Sequence, residues 1–305
     1  MVGRVVHFNI DKQPQTPGER VLKVEHLSVK NEQNVLKVND FSFDIHAGEI
    51  VGIAGVDGNG QTELVNAITG LGPVADGKIT LCGQDITHAS VSKRIAAGIS
   101  HIPEDRQRRG LVLAFTLEEN IVLGRCGSEP FSAHGVLKHD AMRAYADRII
   151  EQYDVRCGEG ARSKAGGLSG GNQQKAIVGR EIERPHELLI AFQPIRGMDV
   201  GSIEYIHNRL LDERSRGKAV LLVSLELDEV LQLSDRILAI NQGRLIGEVS
   251  LTLLPPTCRP PRASGEEGVT LVLRGVSLFE VTPGEEAEPA MSALQTVYLM
   301  AFAFA

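Results

Sequence analysis

The sequence predicts an α/β layer fold on a mainly parallel core sheet, and three observations carry that prediction. Short apolar runs recur at residues 50–54, 188–191 and 219–224, each the length of a strand buried on both faces. Helix-like stretches separate them, as the crossovers of a parallel sheet require. A glycine cluster, Gly55 to Gly60, stands directly after the first run, where the chain must turn sharply from strand to helix.

Taken in order, residues 1–20 read as a linker, broken by Pro14, Pro17 and Gly18. Strand character begins at Val21 with residues 21–24. It continues in the strict alternation of Phe41, Phe43 and Ile45 and ends in the buried run 50–54. A helix is predicted over 62–69, with Leu64, Val65 and Ile68 on one face and Gly70 as its stop. Residues 110–185 read as mainly helical. Near Ser250 the composition changes. Pro255, Pro256, Pro260, Pro261, Pro283 and Pro289 lie among glycines and glutamates, which buries too little apolar surface to offset the entropy of ordering. One folded unit over 21–250 and a poorly ordered tail over 251–305 are therefore expected.

At 305 residues, with 42% hydrophobic and 23% charged content, the chain has material for one substantial core. Its net charge of -7 argues against nucleic acid as a partner. Cys82, Cys126, Cys157 and Cys258 are widely spaced, which fits reduced thiols better than disulfides or a zinc site. The first residues lack the apolar core of a secretory signal, and the run 297–305 is too short to span a bilayer. A cytoplasmic chain, or one that docks on a membrane through a partner, is expected.

Three motifs carry chemistry. Gly55-Val56-Asp57-Gly58-Asn59-Gly60-Gln61-Thr62 matches the G-x-x-x-x-G-K-[ST] phosphate loop except that glutamine replaces lysine. The glycines let the backbone bend around phosphates, and Thr62 offers a hydroxyl to magnesium. Gln61 keeps a donor and loses the charge. Hydrogen bonds to charged groups contribute about 1.5–3 kcal/mol, so nucleotide binding here should be weakened. In the second motif the strand at 188–191 runs into Phe192, Gln193 and Pro194. An aspartate for magnesium and a glutamate to activate water are expected there, whereas a buried strand closed by a proline turn needs neither. Third, Ser169, Gly170, Gly171, Asn172 and Gln173 stand at the mouth of a helix, where backbone N–H groups and the helix dipole face an anion. Plain helix-start capping is the alternative reading of Asn172 and Gln173.

Together these residues resemble the ATP-binding subunit of ABC importers, and more narrowly the second, C-terminal half of the tandem ATPases that serve monosaccharide and nucleoside uptake. Gly55–Thr62 is similar to a degenerate Walker A loop, 168–175 to the ABC signature, 196–201 to the D-loop, and 103–106 to the Q-loop region. The resemblance runs from about Val21 to Val249 and implies a P-loop NTPase fold with an N-terminal antiparallel β subdomain and a helical signature subdomain. It further implies ATP and Mg2+ as cofactors, with an intact partner half and membrane permease subunits as partners. Indirectly it implies a substrate-binding protein, and a place on the inner face of the cell membrane. Residues 102–106, 110–112 and 190–194 are more similar to nucleoside-type members than to ribose or galactose types. Leu225 stands where the switch histidine is expected, and no aromatic residue between Val21 and Asp40 is present to stack adenine. Such ATPases pair head to tail, so the resemblance implies that Ser169, Gly170 and Gly171 complete the partner's ATP site while this chain's own site is degenerate. A non-enzymatic regulatory or scaffold protein of the same fold is the alternative. A solitary ATPase is disfavoured by the missing charges.

Overall fold

The computed structural model describes residues 12–251. The elements run β1 (Arg20–Lys30), β2 (Leu36–His46), β3 (Ile50–Ala54), α1 (Gln61–Thr69), β4 (Asp76–Leu81), β5 (Gln84–Asp85), α2 (Val91–Ala96) and β6 (Ile99–Ile102). They continue with α3 (Leu117–Ile121), the small hairpin β7 (Ser132–Ala133) and β8 (Val136–Leu137), α4 (His139–Gln152), α5 (Gly170–Glu183) and β9 (Leu188–Phe192). Last come α6 (Val200–Ser215), β10 (Ala219–Val223), α7 (Leu227–Leu233), β11 (Arg236–Asn241) and β12 (Arg244–Ser250).

The central sheet has the order β12-β11-β3-β10-β9-β6. All its pairings are parallel except the β11–β12 hairpin. Strand side chains alternate between faces, and the core divides accordingly. Leu188, Ile190 and Phe192 of β9 and Ala219, Leu221 and Val223 of β10 join α1 and the strands β1, β2 and β4 in one apolar cluster. Leu189, Ala191, Val220 and Leu222 join α5, α6 and the helical region in the other. A separate antiparallel sheet, β2-β1-β4-β5, forms the N-terminal subdomain. Arg236 ties it to the core sheet by reaching Glu49, Glu248 and Asp44 at 2.9, 2.7 and 3.2 Å.

Several expectations need correction. The helix after the phosphate loop begins at Gln61, one residue early, because the left-handed Gly60 is its N-cap. Residues 110–185 are helical only in part. They hold three helices separated by the β7–β8 hairpin and single-turn segments, since glycine and proline interrupt the helical period there. Residues 12–18 are irregular, as a linker would be, yet they are anchored. Lys12 pairs with Asp235 at 2.8 Å, and the Gln13 carbonyl accepts from Arg214. Strands β4, β5, β6 and β12 were not anticipated because polar residues interrupt their pattern, and β11, a buried apolar run paired on both sides, was missed as well. Residues 1–11 and the tail beyond 251 lie outside the described residues.

Candidate functional site: two glycine turns

The phosphate loop leaves the end of β3 and enters α1. Its shape requires glycine at two positions. Gly60 has φ +104°, and a Cβ there would stand 2.4 Å from the Lys37 carbonyl oxygen. At Gly55 a Cβ would meet the Ile240 carbonyl at 2.6 Å. The loop is also stapled to the β11–β12 turn. Gly243 N–H donates to the Asn59 carbonyl, and Gln242 N–H donates to Asn59 Oδ1, both at 2.9 Å.

Gln61 is buried, 5% exposed, and its amide Nε2 donates to the Val56 carbonyl at 2.9 Å. The residue in place of the lysine thus spends its donor inside the loop. Gly58, by contrast, has open space where a side chain would be, so a phosphate has room against the backbone. Asp57 and Asn59 flank it on the rim, and Thr62 follows Gln61 half-buried in the first turn of α1. The loop fits a phosphate in shape and lacks the positive charge that would hold one tightly.

Phe192 ends β9 inside the apolar cluster. Gln193 follows it, buried and in the left-handed region at φ 52°, with its N–H donated to the Val223 carbonyl at 2.8 Å. Left-handed backbone is uncommon for a side chain other than glycine, asparagine or aspartate. Periodicity gives no signal of such a conformation, so it was missed. Leu225 is 40% exposed beside Ser224, whose hydroxyl accepts from Glu226 N–H at 3.0 Å. Thr62 is a hydroxyl without a neighbouring carboxylate from β9, and no cluster of three His, Cys, Asp or Glu suited to a metal exists among the described residues. The donor set does not fit a resident magnesium ion.

The second turn is built differently. Ser169 N-caps the fourteen-residue α5, and its hydroxyl accepts from Asn172 Nδ2 at 2.9 Å. Asn172 Oδ1 in turn accepts from Arg156 N–H at 2.8 Å. Gln173 is buried, donating to the Ala165 carbonyl at 3.0 Å, and Gln174 donates to the Pro194 carbonyl at 2.8 Å. Asn172 and Gln173 therefore buttress the turn and leave the backbone N–H groups of Gly170 and Gly171 at the helix mouth. Ser169 and Gly171 open on a cleft of about 500 Å³ that Arg156, Lys175, Asp199 and Tyr205 also line. Lys175 reaches Asp154 at 3.0 Å, and the resulting ion pair holds the Asp154 carboxyl below its usual range. Asp199 caps α6. The Ser202 hydroxyl and N–H, at 2.8 and 3.1 Å, lower its pKa too.

The anchor of α5 is ionic and buried. Glu181 accepts from Arg180 at 2.8 Å and from Arg184 at 2.6 Å. Burial pushes its carboxyl up, but the two arginines outweigh it and the net direction is down. His101 on β6 donates its backbone N–H to Glu181 at 3.1 Å, while its imidazole Nε2 is buried without a hydrogen bond and enclosure holds the ring down to about 4. None of this cluster was anticipated. Charged residues on a helix ordinarily read as a solvated face.

A glycine turn between strand and helix on a mainly parallel sheet, with a second anion-facing turn at the head of a helix, defines a P-loop nucleotide-binding fold. Within that class the ABC transporter family model matches residues 38–195, and the chain belongs to that family. It is 50% identical over 82% of its length to the nucleoside import ATP-binding protein NupA of Lactococcus lactis subsp. cremoris, covering 49% of that protein. To the guanosine import ATP-binding protein NupO of Bacillus subtilis it is 47% identical over 90% of its length, covering 52% of that protein. The chain thus spans about half the length of these relatives. Among solved structures, a nucleotide-free ATP-binding cassette from an ABC transporter superposes with a TM-score of 0.64 at 25% identity, over 76% of this chain and 92% of that one. A dimeric post-hydrolysis cassette bound to ADP and Pi gives 0.65 at 20% identity, over 76% and 99%, a likeness of fold alone.

Proposed function

We propose that this chain is the second, C-terminal ATP-binding half of an importer for nucleosides or simple sugars. It lends its signature turn to ATP held on a partner half while its own site is degenerate. The observation that carries this reading is the contrast between the turns. Ser169, Gly170 and Gly171 stand at the mouth of an ordered helix, whereas Gln61, Phe192 and Gln193 have replaced the groups that bind and cleave ATP. A signature has no use without an ATP brought by another half. That partner supplies an intact phosphate loop and the metal. Permease subunits, and through them a substrate-binding protein, place the assembly on the inner face of the membrane. The nucleoside preference is supported by the relatives at 47–50% identity, which are nucleoside and guanosine import ATP-binding proteins.

In this reading the γ-phosphate of the partner's ATP meets the Ser169 hydroxyl and the N–H groups of Gly170 and Gly171, and the dipole of α5 stabilises its charge. The reading is tested by measuring ATP hydrolysis of the chain alone and mixed with an intact half. Near-background activity alone and stimulation on mixing are expected. A turnover of about 1 per second or more for the isolated chain overturns the degenerate-site assignment. No stimulation by an intact half favours the scaffold alternative.

A further inference from the structure

Residues 104–107 follow β6 and touch both interface motifs. Arg196 Nη1 pairs with Glu104 Oε1 at 2.9 Å, and Arg106 Nη1 donates back to the Arg196 carbonyl at 2.8 Å. The two segments are joined by reciprocal arginine contacts, one to a side chain and one to the backbone. Gln107 Nε2 donates to Gln173 Oε1 of α5 at 3.4 Å, and the Asp105 carboxylate accepts the N–H groups of Gln107 and Arg108, both at 3.0 Å, to set the turn.

The guanidinium of Arg106 lies between two glycines, one from each motif. A Cβ on Gly170 would come 2.7 Å from Arg106 Nη2, and one on Gly197 would come 3.4 Å from the same nitrogen. Gly197 is itself left-handed, at φ +68°. A side chain on Gly170 would crowd the guanidinium, while one on Gly197 would meet it at ordinary contact distance in a left-handed backbone. The arginine thus lies between the first residue of the signature helix and the turn before Asp199, bonded to the latter segment through the Arg196 carbonyl.

We infer that Arg106, with the Glu104–Arg196 pair, is a positioning element that holds the signature turn in register with the segment 196–199. The inference rests on the proposed action of the signature on a partner's ATP. Planar guanidinium groups suit this task because their fork keeps a fixed direction. The Glu104–Arg196 pair is solvent-exposed, 31% and 62% by side chain, and exposed ion pairs contribute little to stability. Breaking it should move the geometry of the assembled site and spare the fold.

The test uses the full chain assembled with an intact half and follows kcat and KM for ATP hydrolysis, with thermal unfolding of each variant. Glu104→Arg, Arg196→Glu and Arg106→Ala should each lower kcat about tenfold or more, the scale of a small misplacement of reacting groups, with KM changed less than about twofold. The double swap of Glu104→Arg with Arg196→Glu should recover most of the lost rate, which a merely structural role for either residue would not produce. Wild-type kcat in the single variants, or a double swap no better than the singles, overturns the inference. Ser169→Glu, measured beside them, separates the two ideas. If it is inactive while the loop variants are normal, only the positioning role fails. If it is fully active, the signature reading fails and the positioning role falls with it.

Discussion

The phosphate loop and the signature turn have the same plan, a glycine-rich turn opening into a helix, and differ in where their polar groups point. In the first, Gln61 hydrogen-bonds the loop's own Val56 carbonyl and Asn59 is bound to the β11–β12 turn. In the second, the supporting side chains of Gln173 and Gln174 bond backward into the fold and leave Ser169 and the helix mouth on an open cleft. One turn is closed on itself and the other faces outward. On the proposed reading, the shape of a motif is a poorer guide to its activity than the direction in which its polar groups point.

The largest effect that would break this comparison is expected at Ser169. Ser169→Glu places a carboxylate in the anion position. Two unit charges about 4 Å apart repel by roughly 4 kcal/mol at a near-surface dielectric, which corresponds to about a thousandfold. Hydrolysis by the assembled pair should fall to background with unfolding temperature unchanged. Full activity would show that the outward-facing turn takes no part.

Glycine substitutions sharpen the contrast, because the two turns use glycine for different reasons. Gly60→Ala forces a Cβ to 2.4 Å from the Lys37 oxygen at φ +104° and should cost about 2–4 kcal/mol by denaturant unfolding. At Gly171 the closest atom to an added Cβ is Asp199 Oδ2 at 4.0 Å. There alanine should leave stability equal or higher by up to about 1 kcal/mol, and yet reduce the activity of the assembled pair by crowding the phosphate. Equal destabilisation at both positions would erase the distinction.

Gln61→Lys asks whether charge alone was lost. Nucleotide affinity of the isolated chain should rise roughly 10- to 150-fold, the equivalent of one charged hydrogen bond at about 1.5–3 kcal/mol. Hydrolysis should stay at background, because Phe192 and Gln193 supply neither carboxylate. Unchanged affinity by titration calorimetry would mean that the closed loop, and not the missing charge, excludes nucleotide.

How much of this was readable in the sequence follows from the range of each interaction. The strands β3, β9 and β10 and the start of α5 are local patterns of apolar period and cap, and residues 50–54 and 169–173 declared them. The ABC transporter fold followed from those motifs in order. The contacts that distinguish the turns are long-range or conformational. Gln193 is left-handed, Arg106 sits against Gly170 and Gly197, and Arg236 joins Asp44 and Glu248 across the two sheets. None of these leaves a periodic trace. Gln61 lies between, since the lost charge was plain while the partner of its amide was not.

Acid separates the turns by a further route, with the smallest effect at neutral pH. The phosphate loop is held by neutral amides and carbonyls, whereas α5 is anchored on Glu181, which also accepts the backbone N–H of His101, a residue whose imidazole is enclosed beside it. The folded-state pKa of His101, about 4, lies below its ordinary value of 6.5, so the unfolded chain binds the proton more readily. Its contribution is fully present above pH 6.5 and is lost as pH falls toward 4. Glu181 is also held low, so its contribution is present above the ordinary carboxylate range and is lost as pH falls through its folded value. Both act in one direction. On lowering the pH from 7 to 5, His101 alone should remove on the order of 2 kcal/mol, at 1.36 kcal/mol per unit. Amide exchange in α5 should accelerate while that of residues 55–60 changes no more than the rest of the core sheet. His101→Phe should flatten the profile between pH 6.5 and 5. A phosphate loop that loosens in step with α5 would mean that the two turns share one anchor.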